Sequence, residues 1–145
     1  MTYIEELKTT AKNMVAKGKG ILAADESNPT CTKRLDSVGV ESSFENRNEY
    51  RDMLFGSKEI EKYISGVIMF DETFRQSTTC DRKINFPEYL KSKGIIPGIK
   101  VDKGAKDLAG FENEKITEGL DGLREHLVEY FDMGARFAKW RAVIN

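Results

Sequence analysis

The sequence predicts an α/β domain with a parallel sheet, and three observations lead to this class. Four short, mostly apolar runs occur along the chain, at residues 20–25, 66–72, 98–102 and 136–144. Near-continuous runs of this kind are typical of parallel strands covered on both faces. Segments with a helical period lie between the runs. Positions 25, 71, 100 and 139 near the strand ends lie 46, 29 and 39 residues apart, which leaves room for helical crossovers.

Apolar stripes and terminal residues predict the helices that separate these runs. Ser42 and Glu45 fit a capping box that opens a helix ending near Gly56. Gly134 follows the last helical segment and fits the glycine that commonly ends a helix. The stripe before the first strand contains Ile4, Leu7, Ala11, Met14 and Val15, and the stripe before the fourth contains Leu120, Leu123, Leu127, Tyr130 and Phe131.

A proline limits where the third strand can begin. Proline has no backbone N–H, so within a sheet it removes one hydrogen bond of the ladder. Because Pro97 directly precedes Gly98, we expect this strand to begin at Gly98.

Charged residues stand where the predicted strands end. Alternate residues of a strand point to opposite faces, which places Lys139 and Arg141 opposite the apolar face of the fourth strand. Ligands of open α/β sheets and of barrels bind at the carboxyl ends of the strands. We expect four charged side chains to converge there: Asp25, Lys100, Lys139 and Arg141.

Each of these residues also has a simpler interpretation. A lysine at a strand end commonly forms a salt bridge or extends its ammonium group to solvent, and Asp25 could instead cap the following helix. The combination is more informative, because burying three cations and one acid without partners would cost several kcal/mol each. A doubly anionic substrate would supply the missing negative charge.

The composition argues against several classes of function. A net charge of -1 and a pI near 6.0 indicate no broad affinity for nucleic acid or an anionic membrane. No apolar run approaches the ~18 residues of a membrane span, and the N-terminus resembles neither a signal nor a transit peptide. Two isolated cysteines, Cys31 and Cys80, and the single histidine, His126, predict a reduced cytoplasmic protein without a disulfide, metal or cofactor.

Eight motifs resemble those of class I fructose-1,6-bisphosphate aldolases, in the same order, over residues 3 to 145. They read GKGILAADES, KRL, ENRNEYR, GVIMFDET, KSKGIIPGIKVDKG, LAG, GLDGL and FAKWR. The resemblance implies a (β/α)8 (TIM) barrel and a metal-free reaction of glycolysis and its reverse. This reaction cleaves fructose 1,6-bisphosphate into dihydroxyacetone phosphate and glyceraldehyde 3-phosphate through a Schiff base on a lysine. It also implies sugar phosphates as ligands and a protein that is usually homo-oligomeric.

The resemblance further implies roles for individual residues. Asp25 matches an aspartate that assists proton transfer, and Lys139 matches a lysine that steadies charge during carbinolamine chemistry. Lys100 and Arg141 match cations near substrate phosphate and hydroxyl oxygens. The residues that match the phosphate site after the first strand are Ser27, Lys33 and Arg34.

Some positions depart from the family pattern or match it weakly. Asn28, Pro29 and Thr30 stand where many members have Thr-Gly-Ser; Thr30 could keep a phosphate-binding hydroxyl, whereas Pro29 removes an N–H and stiffens the loop. Arg47 matches an arginine proposed as a substrate contact, although an exposed helical arginine is more commonly solvated. Asp71 stands where animal members often have histidine, and the sequence offers no interpretation of this change.

Four strands in 145 residues amount to half of a barrel that needs about 250 residues. We therefore expect residues 1–145 to form a single incomplete domain, the first four β/α units. The Schiff-base lysine, the glutamate acid/base and part of one phosphate site would lie on later strands. Unpaired strand edges favour association, so we expect the chain alone to be inactive, and to self-associate, unfold in part or depend on a second fragment.

Alternative functions remain open at this point. The chain could bind sugar phosphates without catalysis, or it could be a structural protein that associates through its exposed sheet. Lys139 or Lys100 could also form an imine itself, since a desolvated lysine beside other cations becomes nucleophilic.

Overall fold

Four parallel strands form the main sheet of the computed structural model, which describes residues 2–80 and 83–144. The strand order is β1-β2-β3-β6, and a separate antiparallel pair joins β4 to β5. In chain order the elements are α1 (Tyr3–Met14), β1 (Gly20–Ala24), α2 (Asn28–Asp36), α3 (Phe44–Phe55), α4 (Ile60–Tyr63), β2 (Ile64–Met69), α5 (Asp71–Phe74), α6 (Phe86–Ser92), β3 (Ile96–Lys100), β4 (Ala105–Asp107), β5 (Lys115–Thr117), α7 (Leu123–Asp132) and β6 (Phe137–Lys139).

The main sheet confirms the parallel arrangement expected from the spacing of the apolar runs. Residues 21–24 of β1 pair with residues 66–69 of β2, and these pair with residues 96–99 of β3. Residues 98–100 of β3 pair with residues 137–139 of β6. Because all four strands run in one direction, their carboxyl ends meet at one edge of the sheet. The β4–β5 hairpin, which lies between the third and fourth predicted strands, was not predicted.

β3 begins earlier than expected and includes Pro97, so the prediction of a start at Gly98 was wrong. The Pro97 carbonyl faces β6, where it accepts a hydrogen bond from the Arg136 N–H at 2.9 Å. The ladder with β6 starts only at Gly98 and Phe137. The missing N–H of Pro97 therefore lies just before the first residue pair of this ladder.

β6 is shorter than expected, because it covers three residues rather than residues 136–144. Its partner β3 ends at Lys100, opposite Lys139. One further backbone bond, from the Val101 N–H to the Lys139 carbonyl at 3.1 Å, continues the pairing. Beyond it the expected apolar face is not buried, since Trp140 is 37% and Ile144 89% exposed.

The ends of two helices test the predicted caps. The capping box at Ser42 and Glu45 was wrong by one residue, because Ser43 precedes α3 and its hydroxyl accepts the Asn46 N–H at 3.1 Å. The glycine predicted to end α7 is confirmed, since Gly134 follows the C-cap with a φ of +109°. The N–H groups of the two residues after this C-cap bond back to the Phe131 and Tyr130 carbonyls, which is the Schellman arrangement.

α1 forms where the first apolar stripe predicted a helix, but its apolar side chains are not buried. Thr2 and Glu5 form the capping box that opens it. Ile4 is 64% and Leu7 67% exposed, and none of the helix residues is buried. The stripe therefore indicates a surface of the described chain rather than its core.

The hydrophobic core lies between the helices and one face of the main sheet. Phe55 of α3 meets Phe86 of α6 edge-on, with ring centroids 5.0 Å apart. Two strands supply the sheet side of this core with Val67, Met69 and Ile99. The members of the core are Ala24, Phe55, Ile60, Val67, Met69, Phe74, Phe86, Leu90, Ile95, Ile99, Tyr130 and Ala135.

On the opposite face, two glycines make room for an aromatic ring. A Cβ added at Gly98 would lie 2.2 Å from the Phe137 ring, and one at Gly66 would lie 3.1 Å from it. The ring therefore lies directly over the backbone of β3 and reaches β2. Phe137 and Lys139 share this face, so the ring lies beneath the charged strand ends.

Two further features bear on earlier expectations. Cys31 is buried, Cys80 is exposed, and no disulfide joins them. Within residues 2–80 and 83–144 no helix has the length and apolar character needed to cross a membrane.

Candidate functional site

Four charged side chains from three strand ends meet on the face of the sheet opposite the core. Lys139 Nζ lies 2.9 Å from Asp25 Oδ2 and 3.7 Å from Asp102 Oδ2, and Lys100 Nζ lies 3.8 Å from Asp102 Oδ1. We call this group the strand-end cluster; its members are Asp25, Lys100, Asp102 and Lys139. Three of the four expected residues are thus brought together.

The ion pair between Lys139 and Asp25 joins the two outermost strands of the sheet. Neighbouring strands lie about 4.8 Å apart, so β1 and β6 would be roughly 14 Å apart in a flat sheet. The two side chains therefore reach toward each other across the face of the sheet opposite the core. Asp25 does not cap the next helix, because the N-cap of α2 is Ser27.

Asp102 belongs to the cluster, although the sequence analysis did not select it. Its side chain is fully buried and accepts hydrogen bonds from the Gly104 N–H at 3.1 Å and the Arg141 N–H at 3.2 Å. A usable signal was present, because Asp102 follows Lys100 by two residues and shares its predicted face. The charges of the cluster therefore balance, which corrects the expectation of three cations facing one acid.

Arg141 reaches the site through its backbone rather than through a described side-chain contact. Its N–H binds Asp102, whereas the residue as a whole is exposed. Beyond Lys139 the strand has ended, so the alternation that placed Arg141 beside Lys139 no longer applies.

Glu26, the residue after Asp25, gathers two arginines and a tyrosine into a second group. Its Oε2 accepts a hydrogen bond from Arg51, and its Oε1 lies 2.6 Å from Arg34 Nη1. Tyr50 Oη lies 3.4 Å from Oε1 and accepts a hydrogen bond from Arg34 at 3.3 Å. This hydrogen bond is the larger cause of the raised pKa of Arg34, and the negative charge of Glu26 is the next. We call this the Glu26 cluster; its members are Glu26, Arg34, Tyr50 and Arg51. Only Arg34 was selected from the sequence.

The start of α2 holds the remaining residues of the expected phosphate site. Ser27 Oγ lies 3.3 Å from Thr30 Oγ1, which keeps two hydroxyls side by side. Pro29 lies in the first helical turn, where its missing N–H has no intrahelical partner to lose. Lys33 is exposed on the same helix.

Arg47 is not solvated, which corrects the expectation for an exposed helical arginine. Its side chain is 15% exposed and donates two hydrogen bonds to Glu72, at 2.7 and 2.8 Å. Asn28 Nδ2 lies 3.2 Å from the same carboxylate and so links the start of α2 to α5. The bonds from Arg47 hold the pKa of Glu72 below its usual value.

Asp71, whose departure from the family pattern had no interpretation, binds a buried tyrosine. It accepts a hydrogen bond from Tyr130 Oη at 2.9 Å, and Arg75 pairs with it at 3.0 Å. Burial, followed by the bond to Asp71, raises the pKa of Tyr130 to about 12. His126 stacks beside Tyr130 at 6.2 Å. Among residues 2–80 and 83–144, no group of three or more His, Cys, Asp or Glu side chains is arranged to hold a metal ion.

The chain is similar to known proteins in sequence and in fold. The sequence profile of the family "Fructose-bisphosphate aldolase class-I" matches residues 6–145. A probable fructose-bisphosphate aldolase class 1 of Xylella fastidiosa is 59% identical over 142 residues, which cover 98% of this chain and 42% of the relative. Fructose-bisphosphate aldolase 2 of Plasmodium berghei is 53% identical over 140 residues, which cover 97% of this chain and 37% of the relative.

A solved structure is similar over most of the described fold. It is the fructose-bisphosphate aldolase of Plasmodium falciparum in complex with TRAP and a small-molecule inhibitor. The TM-score is 0.90 at 52% identity, and the match covers 94% of this chain and 39% of that one. The chain thus spans about two fifths of the length of these relatives. The profile match and the high identities show that the chain belongs to the class I fructose-bisphosphate aldolase family.

Proposed function

We propose that this chain supplies one wall of a metal-free, Schiff-base aldolase site for fructose 1,6-bisphosphate. The observation that supports this most directly is the 2.9 Å contact between Lys139 and Asp25 at the carboxyl ends of β6 and β1. A carboxylate held against an ammonium group can pass a proton to or from a substrate that lies between them and the solvent. The reaction would serve glycolysis and its reverse.

Within this wall, each residue has a distinct role. Asp25 assists proton transfer at the bond that breaks, and Lys139 steadies charge as the carbinolamine forms and collapses. Lys100, 16% exposed at its side chain, contacts substrate oxygens from the neighbouring strand. Asp102 is the buried acceptor that holds both lysines in place, since it approaches each of them within 3.8 Å.

The phosphate groups of the substrate would bind at the rim of the wall. Arg34 is 59% exposed at its side chain, and Lys33 and Arg141 are exposed, so all three remain accessible to an anion. Ser27 and Thr30 would add hydroxyl donors. The two lysines of the strand-end cluster are already balanced by two aspartates. This balance supports the assignment of phosphate binding to the cations at the rim.

The nucleophile itself belongs, on this proposal, to a later strand of an eight-stranded barrel, of which this chain forms the first half. The coverage of about two fifths of each relative supports this half-barrel assignment. The chain alone would then bind the substrate without cleaving it. Its homo-oligomeric state and its cytoplasmic location remain predictions.

Two measurements on the purified chain test the proposal. Fructose 1,6-bisphosphate is titrated into the 15N-labelled protein, and we expect saturable NMR shifts at the strand-end cluster that Lys139→Met reduces at least fivefold in affinity. Lys62→Met serves as the matched control, because Lys62 pairs with Glu59 before the amino end of β2. An absence of saturable binding, or an equal loss in both variants, would contradict the proposed wall.

Borohydride trapping then tests where the nucleophile lies. The chain is treated with dihydroxyacetone phosphate and borohydride in EDTA, and intact mass is measured. We expect no covalent adduct. An adduct mapped to Lys139 or Lys100 would instead mean that this half barrel forms an imine unaided, and the division between the two halves would be wrong.

A self-associating protein without catalysis is a second candidate, supported by one observation. α1 and α7 expose large apolar side chains, among them Leu7 at 67% and Val128 at 60%. Such surfaces are commonly covered by another protein surface. Oligomers that form equally well with and without fructose 1,6-bisphosphate, together with no binding in the titration, would favour this candidate.

A further inference from the structure

We propose that Arg51 is a positioning residue, which acts through Glu26 to hold the phosphate-binding arginine Arg34 and the turn that contains Asp25. The inference deepens the proposed function and rests on it, because that function assigns Arg34 to substrate phosphate. Arg51 itself is 2% exposed and does not reach the face where substrate would bind.

The first step of the argument is that Arg51 grips one residue at two points. Its Nη1 binds the Glu26 carboxylate, and its Nη2 donates to the Glu26 backbone carbonyl at 2.9 Å. Its Nε lies 3.3 Å from Oγ1 of Thr73, which belongs to α5. A guanidinium that binds both the main chain and the side chain of Glu26 fixes the backbone between Asp25 and Ser27 as well as the carboxylate.

The second step concerns the other oxygen of the carboxylate. Glu26 Oε1 lies 2.6 Å from Arg34 Nη1, so one carboxylate holds two arginines. The side chain of Glu26 is only 9% exposed, whereas that of Arg34 is 59% exposed. The buried arginine therefore orients the carboxylate, and the carboxylate orients an arginine that still faces solvent with spare donors.

The third step separates positioning from stability. A buried arginine–glutamate pair is by itself weak evidence for stability, since desolvation offsets much of its attraction. What the pair does provide is direction, because the planar guanidinium presents its donors in a fixed fork that a lysine lacks. Arg51→Lys would keep the charge while losing the two-point grip on Glu26. The variant should therefore disturb Arg34 even where the fold persists.

A thermodynamic cycle on ligand affinity tests this coupling. Fructose 1,6-bisphosphate is titrated by NMR into wild type, Arg51→Lys, Arg34→Ala and the double variant. We expect Arg51→Lys to weaken binding at least fivefold when Arg34 is present and less than twofold when it is replaced. Phe55→Leu, a core change on the same helix away from Glu26, is the control for lost stability and should stay within twofold of wild type.

A ligand-free measurement distinguishes failure of this inference from failure of the proposed function. In 15N-arginine protein, we expect Arg51→Lys and Glu26→Gln each to move the Arg34 Nε–Hε signal toward that of a free arginine, while Phe55→Leu leaves it in place. If wild type binds no bisphosphate, the proposed function fails, but this signal still tests Arg51. An unchanged Arg34 signal in both variants, equal affinity losses in both backgrounds, or a matching loss in Phe55→Leu would overturn the inference.

Discussion

Replacing Gly98 with alanine should disrupt the face of the sheet on which the strand-end cluster rests. A Cβ at this position would lie 2.2 Å from the Phe137 ring, closer than real Cβ contacts come, and two other ring atoms would lie 2.5 Å away. Gly98 lies in the ladder between β2 and β3 on one side and pairs with β6 on the other, so its backbone has little freedom to retreat. The ring must therefore move.

The size of the effect follows from this geometry. Overpacking a well-packed region typically costs 1–3 kcal/mol, and we expect about 2 kcal/mol in the free energy of unfolding for Gly98→Ala. Gly20→Ala is the matched control in the same sheet, because a Cβ at Gly20 would meet nothing within 4 Å. Removing glycine there should be neutral, or stabilising by about 0.4–1 kcal/mol through the unfolded state.

Urea unfolding monitored by circular dichroism measures both variants, and Phe137→Leu completes a double-mutant cycle. If the clash with the ring is the cause, Gly98→Ala should cost less in the Phe137→Leu background than in wild type, by about 1 kcal/mol or more. Equal stability of Gly98→Ala and Gly20→Ala would refute the reasoning. So would strict additivity with Phe137→Leu.

Three further measurements follow from the charges and exposed surfaces. Glu72→Gln should cost about 1.5–3 kcal/mol at neutral pH, because the amide carries no charge and its nitrogen cannot accept one of the two hydrogen bonds from Arg47. The pKa of Glu72 is lowered in the folded state, so the stability that the wild type gains is present above about pH 4.5 and lost as pH falls further. Acid unfolding curves of the two proteins should therefore converge. Absorbance at 295 nm should show Tyr130 ionising near pH 12, and the stability that its protonated form gives should persist below about pH 10 and be lost as pH rises through 12. Asp71→Asn should bring the pKa of Tyr130 closer to the ordinary tyrosine value. Sedimentation equilibrium should detect association of the chain, and a monodisperse monomer with a cooperative thermal transition would contradict this expectation.

The parallel sheet could be predicted because the patterns that indicate it repeat over a few neighbouring residues. Apolar runs, their spacing and the two-residue alternation were sufficient to place Asp25, Lys100 and Lys139 on one face at one edge. The same alternation failed at Arg141, because alternation holds only while a neighbouring strand keeps the chain extended, and β3 ends opposite Lys139. Strand length thus depends on a partner that lies elsewhere in the sequence.

Which side chains pair with each other was harder to predict than which face of the sheet a residue occupies. Arg47 looked solvated from its helix position, yet it binds Glu72, and only the tertiary fold brings these two residues together. Asp102 follows Lys100 at the spacing that puts both on one face, but the sequence alone does not show which lysines it pairs with. The reason is physical, since a buried charge needs a partner, which a nearby acid can supply as well as an anionic ligand can.

This charge balance changes how the proposed site would act. Lys139 lies 2.9 Å from Asp25 and 3.7 Å from Asp102, so its ammonium group is compensated before any substrate arrives. A compensated lysine attracts a distant phosphate weakly, whereas a proton that moves between Lys139 and Asp25 leaves the net charge of the cluster unchanged. Arg34, exposed and oriented from behind by Glu26, is better suited to capture the phosphate, and its attraction should weaken with salt. We therefore expect the salt dependence of substrate binding to arise at the rim. The strand-end cluster would contribute short contacts to the bound substrate and proton transfer, both of which salt screens much less.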